Sequence, residues 1–283
     1  DHLWVGADIG VWHSLDAGTT WEPFSEGLPD AGVFDLQLHA PRRLLRASTH
    51  GRGVYERALD PAPARAIELY VRDTQLDQGR FPSVDGLPDP IRLGQTVAHD
   101  RGPDIKLDTP DANGNHQFPP TSDIDFLQFV DVLIDDAEHV AAPASAVVTT
   151  RVYVQVHNRG VTPASGVRVM LLVAGASPGP LPALPPGYSS NLQSRTPIAT
   201  PSWRTVGFAT LDDVRVGFPK IAGFDLTSDL LPPSAGPAGS DQHCLLVLVH
   251  HLLDPFTATE TATDLLSTNE RKAAHKRLTV VRS

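Results

Sequence analysis

The sequence predicts an all-β protein built in two unequal parts, and three observations lead there. Its 283 residues include 26 Pro and 22 Gly with 41% hydrophobic side chains, a composition that suits short strands joined by many turns. Short segments alternate apolar and polar residues with period two, among them Val33-Phe34-Asp35-Leu36-Gln37-Leu38 and Thr150-Arg151-Val152-Tyr153-Val154-Gln155-Val156. A near-repeat links Gly10-Val11-Trp12 to Gly53-Val54-Tyr55, about 43 residues on by direct count from Val11 to Val54.

Taken in order, Leu3 to Ala7 and Gly10 to Ser14 read as a pair of short strands. A turn over Leu15 to Thr19 returns the chain into Thr20-Trp21-Glu22-Pro23-Phe24. A loop rich in Gly, Pro and Asp follows, from Gly27 to Gly32. Three more strands are expected at Val33 to Leu38, Leu44 to Ser48 and Gly53 to Arg57. In the first turn, Asp16 supplies a side chain able to bond backbone amides, and Gly18 tolerates positive φ. The hydroxyls of Ser14 and Thr20 can brace it, and the Trp21 indole can fill the space between sheets.

Ser14-x-Asp16-x-Gly18-x-Thr20-Trp21 resembles the Asp-box, or BNR repeat, of a family of β-propellers. In that family these five residues form a folding device rather than a catalytic site. Ser48-Thr49-His50-Gly51-Arg52-Gly53-Val54 resembles the closing repeat of Asp-box propellers, including the sortilin-like and xyloglucanase-like groups. The resemblance implies that residues 1–58 are the terminal blade or blades of such a propeller. They make up about one and a half blades, against the ~4–8 of a ring. The rest of the ring is then expected upstream of Asp1, in the same precursor or in a separate chain.

Residues 59–101 read as a turn-rich linker. Asp60-Pro61-Ala62-Pro63 opens it, and Ile67 to Arg72 is its one strand. Asp77 and Gly79 read as an ordered turn, with a metal loop as the alternative. Residues 102–283 read as a sandwich: an opening strand at Pro103 to Asp108, then Thr150 to Val156 and Val167 to Val173. Further strands are expected at Thr205 to Leu211, Cys244 to Val249 and Leu278 to Val281. Asn158-Arg159-Gly160 and the valine-rich strands around it resemble CARDB, an Ig-like adhesion domain of bacterial surface proteins. The Pro-rich stretches Ser177 to Tyr188 and Leu231 to Ser240 depart from that pattern and are expected to be surface loops of polyproline character. The whole then reads as an incomplete propeller end joined by an extended linker to an Ig-like β-sandwich.

Chemistry is sparse. Asp111, Asn113 and Asn115 place oxygen ligands at alternate positions around Gly114, as calcium prefers, but without the downstream glutamate of an EF-hand. A plain Asx-turn is the competing reading. The acidic residues Asp123, Asp125, Asp131, Asp135 and Asp136 fit one wet sheet face. His243 and His251, about 26 Å apart along a strand, are too distant to share one zinc ion with Asp254. Asp8 and Asp35 sit at strand ends, and no motif supplies a nucleophile, an acid–base pair or a phosphate-binding loop. Tyr188 and Trp203 offer flat faces for stacking on a sugar or a protein, the alternative being that they pin their own loops. The lone Cys244 lies in an apolar run and is expected to be a buried thiol.

A net charge of −10 argues against a nucleic-acid partner. The basic residues Arg271, Lys272, Lys276 and Arg277 are read as a solvated face. No run approaches the ~18 apolar residues of a membrane span. The sequence therefore points to a non-catalytic part of a secreted or cell-surface protein, active in adhesion, in carbohydrate or protein binding, or as a spacer. Two alternatives stay open: an accessory region of a glycoside hydrolase whose active site lies in other blades, and a structural subunit of a large extracellular assembly.

Overall fold

The computed structural model describes residues 2–39, 44–59, 65–74, 77, 79, 94, 96–111, 113–116, 138–142, 149–176, 180–233 and 240–282. They contain fifteen strands and two short α-helices, an all-β architecture. The acidic stretch from Asp123 to Asp136 lies outside the described residues.

The front of the chain is two antiparallel meanders. β1 (Leu3–Ala7), β2 (Gly10–Ser14) and β3 (Glu22–Pro23) form the first sheet. β4 (Val33–His39), β5 (Leu44–Thr49) and β6 (Gly53–Ala58) form the second. β3 is shorter than the strand expected over residues 20–24, because the Thr20 amide is taken by the Asp16 side chain rather than by a ladder. The sheets stack through Val11, Val33, Leu45 and Ala47, with Trp4, Phe24, Leu28 and Leu36 against them. Gly6 permits that approach, since a Cβ there would lie 2.7 Å from Val33 Cγ1.

The remaining elements follow in order. β7 is Leu69–Tyr70, β8 is Ile105–Asp108, β9 is Glu138–Ala142 and β10 is Thr149–Asn158. Next come β11 (Val167–Ala176), α1 (Tyr188–Ser194), β12 (Trp203–Leu211) and β13 (Lys220–Thr227). β14 (Ser240–His250), α2 (Thr263–Asn269) and β15 (Ala273–Arg282) complete the chain. Central β10 pairs with β13 along one edge and with β8 and β7 along the other. The other sheet runs β12-β11-β14-β15-β9, with β9 parallel to β15 and the other pairs antiparallel.

One core lies between these two sheets. Val152, Val154 and Val156 of β10 meet Val169, Leu171, Leu245 and Val247 of the five-stranded sheet. A second core covers that sheet's other face, where Met170, Leu172, Leu246 and Leu248 pack under Tyr188, Leu192, Trp203, Phe256 and Leu266. Burial on both faces explains why β11 and β14 read as unbroken apolar runs instead of alternating. It also corrects the reading of the Pro-rich insertion, where Leu181, Leu184 and Tyr188 are buried rather than displayed on a polyproline loop. β7 belongs to the sandwich by its ladder to β10, and Ile67, Leu69 and Val71 lie in the first core.

Candidate functional site

The turn between β2 and β3 is closed by four of the five motif positions, Ser14, Asp16, Gly18 and Thr20, with Thr19 bonding back to the Asp16 carbonyl. Asp16 Oδ1 accepts from the Thr20 amide at 2.8 Å and from the Ser14 hydroxyl at 2.8 Å. Asp16 Oδ2 accepts from the Thr20 hydroxyl at 2.7 Å, and Ser14 Oγ accepts from the Gly18 amide at 2.7 Å. Gly18 sits at φ 95° and Ala17 at φ 59°, so the turn uses left-handed backbone at two successive residues. The Thr20 amide, then the Thr20 and Ser14 hydroxyls, lower the Asp16 carboxyl to about 2. The Asp16 carboxylate and the Ser14 and Thr20 hydroxyls are all spent on the turn. Trp21 departs from its expected role between sheets: the residue is 41% exposed.

Charged residues of the linker and the last strands form a buried network. Asp254 Oδ1 takes Arg271 Nη2 at 2.6 Å and Lys272 Nζ at 3.2 Å, and Asp254 Oδ2 takes the Leu69 amide at 2.7 Å. Arg271 Nε also donates to the Leu69 carbonyl, and Arg159 pairs with Glu68 at 2.9 Å. The expected solvated basic face is thus corrected: Arg271, Lys272 and Lys276 are buried, drawn inward by Asp254 and the carbonyls of Leu69, Pro255 and Ile105. Nearby, Asp104 accepts from the Arg72 amide at 2.7 Å and from Arg72 Nε at 2.8 Å. Burial works against Asp104 ionising, but the Arg72 guanidinium and His157 hold its carboxyl well below the usual range.

Asp77 is buried as well and caps its own turn, accepting from the Gly79 amide at 2.7 Å and from the Asp73 amide at 3.2 Å. Burial, then the Asp73 carboxylate, raise its carboxyl above the ordinary value. Asp111 forms an Asx-turn in which Oδ1 accepts from the Asn113 and Asn115 amides, each at 2.8 Å. Of the three oxygen ligands expected for calcium, the Asp111 carboxylate is thus engaged by the chain's own N–H groups. Among the described residues, no three His, Cys, Asp or Glu side chains gather to hold a metal ion.

The two aromatic contact candidates are corrected. Trp203 is fully buried with its Nε1 donating to the Pro182 carbonyl at 3.0 Å, and Tyr188 donates its hydroxyl to the Glu260 carbonyl at 2.7 Å. Each ring pins a loop over the second core and is withdrawn from any surface ligand. The histidines around β14 are also committed: His243 Nε2 lies 3.0 Å from the Pro232 carbonyl, and His250 Nδ1 accepts from the Phe256 amide at 3.1 Å. Cys244 is buried as expected, and burial pushes its thiol up.

A concave surface lies where the first meander faces the end loops of the sandwich. A cleft of about 510 Å³ is walled by Trp4, His13 and Phe24 on one side and by Gly160, Val161 and Thr162 on the other. A narrower slot of about 270 Å³ adjoins it, between Ile9 and Trp12 and the loop of Val216 and Phe218. Arg57 is fixed in the cleft wall, 3.9 Å over the Phe24 ring and 3.0 Å from Glu26. His13 stacks against Phe24 at 4.9 Å and lies 3.6 Å from Glu22. None of these residues stands out in the sequence, because Trp4 and His13 belong to ordinary alternating strands and Val161 to a turn. Scanned against known protein families the chain matches none, and no curated protein matches it.

Proposed function

We propose that the chain is a non-catalytic recognition part of a secreted or cell-surface propeller protein. Residues 1–58 are read as the end of an Asp-box propeller and residues 102–283 as a CARDB-like, Ig-type sandwich that engages carbohydrate or protein. The junction cleft is the observation that carries this reading. One wall is aromatic, from Trp4, His13 and Phe24, and the charged groups are already held in pairs, a combination suited to stacking a neutral surface with little reorganisation. Buried ion pairs engage Asp104, Asp254 and Glu68, and turns engage Asp77 and Asp111, roles that belong to a scaffold.

The test uses the intact chain with cell-wall and plant polysaccharides, measured by calorimetry and by release of reducing ends. Glu22→Ala and Val161→Asp alter opposite walls without entering a core. Binding weakened at least about tenfold by both, with no hydrolysis, is the expected result. Binding indifferent to both, or reducing ends that appear with the pure chain, would overturn the proposal.

A further inference from the structure

In the cleft wall the chain shows how it holds a cation. Arg57 lies 3.9 Å over the Phe24 ring, stands 3.0 Å from the Glu26 carboxylate and donates to the Phe24 carbonyl. A ring, a carboxylate and an apolar surround for the stem are the parts of such a holding site. The adjoining slot of about 270 Å³ gathers the same parts from two regions of the chain. Trp12 of β2 and Phe218 of the sandwich loop supply rings, Ile9, Pro29 and Pro163 an apolar lining, and Asp30 a carboxylate.

Among the described residues, no side chain completes the set in the slot. Arg215, the basic residue of its lining, is tied to Asp213 at 2.8 Å. Asp30 is exposed and makes no hydrogen bond or ion pair with a described residue, and neither Trp12 nor Phe218 stacks on a described ring or cation. The parts are also fixed in place. The Phe218 amide donates to the Arg215 carbonyl at 3.2 Å, and Val214 and Ala164 exchange bonds of 2.9 and 3.0 Å at the base of that loop. Gly217 sits there at φ 74°, and a Cβ on it would stand 3.6 Å from Asp30 Oδ1, so the meander's carboxylate lies against the sandwich wall. Phe218 itself is 55% exposed.

We propose that the slot binds an arginine side chain presented by a partner protein. The guanidinium packs on Trp12 and Phe218 and pairs with Asp30, as Arg57 packs on Phe24 and pairs with Glu26, while its aliphatic stem runs along the prolines. The formal net charge of −10 favours the approach of a basic partner. This rests on reading the junction as a recognition surface, and it adds a ligand class that the cleft, with its own cation already in place, does not select.

The probe is a capped pentapeptide with one arginine between two pairs of glycines, titrated through the millimolar range into the intact protein. The indole N–H signal of Trp12, followed by NMR, should shift saturably. A peptide with citrulline in place of arginine keeps the shape without the charge and should leave the signal unmoved. Asp30→Asn and Phe218→Leu change exposed side chains outside every core, and each should weaken binding about threefold or more, as should raised salt. An absent shift, an equal shift with citrulline or lysine, or binding indifferent to Asp30→Asn would overturn the proposal. Polysaccharide binding reports separately through Glu22, which lines the cleft and not the slot. Its failure beside an intact Trp12 shift would remove the carbohydrate reading of the cleft and leave the arginine site standing.

Discussion

At the scale of single residues, charge placement makes the clearest claims. Asp16 spends both oxygens on Thr20 and Ser14, so Asp16→Ala orphans a turn amide and two hydroxyls. The variant should unfold at a lower temperature at neutral pH, with Asp16→Asn intermediate because it keeps one acceptor. Lowering the carboxyl from 3.8 to about 2 makes this contribution complete above pH 3.8 and lost as pH falls towards 2. Wild type and Asp16→Ala melting curves should therefore converge in that window; a constant gap down to pH 2 would deny the carboxylate its role. His275 works over a different range. Burial, then Arg277, lower its imidazole from 6.5 to about 3, with Nδ1 bonded to Ser267 Oγ at 2.8 Å. The unfolded chain takes up the proton first, so stability should fall as pH drops from 6.5 towards 3. His275→Gln should flatten that slope in urea titrations, and an unaltered slope would assign the acid sensitivity to other groups.

At the scale of elements, the question is what ties β7 to the sandwich. Two ladder pairs with β10 are a weak hold, but Asp254 binds the Leu69 amide while Arg271 binds the Leu69 carbonyl. Removing the carboxylate in Asp254→Ala takes the nearest anion from buried Arg271 and Lys272, leaving them only Glu68 at 3.8 Å and Glu270 at 3.7 Å, which should cost about 3 kcal/mol in urea denaturation. A loss below about 1 kcal/mol would show that the network relaxes into solvent. None of this was legible in the sequence, because Leu69 and Arg271 lie 202 positions apart and nothing local marks them as partners. Strands such as β4 and β10 were legible, since one buried face imposes period two. β13 lies outside the strands expected from the sequence, although Ala222, Phe224 and Leu226 alternate in its middle. Helices α1 and α2 have only seven residues each, too few for a helical period to show. Tyr188 and Trp203 misled for a physical reason: a polar-tipped ring suits a loop anchor over a core as well as it suits a ligand face.

At the scale of the whole molecule, the chain divides its apolar surface among separate cores. The meanders stack on Val11, Val33, Leu45 and Ala47, while the sandwich sheets pack on the valines of β10 and β11 and on Leu245 and Val247. No described strand of the meanders pairs with one of the sandwich, and the two parts meet across the cleft and slot between their loops. Cooperative unfolding follows shared cores, so the two parts should melt as two calorimetric transitions. Substitutions then sort the transitions. Gly6→Val forces a branched side chain against Val33 and should lower only the meander transition. Asp104→Ala strips Arg72 and His157 of their buried anion and should lower only the sandwich transition. The meander transition should be the weaker of the two, since its sheets leave Leu3, Val5 and Trp21 in water and close one small core. A single transition moved by both substitutions would mean that the two parts fold as one cooperative unit, joined by the contacts around the cleft and slot rather than divided between separate cores.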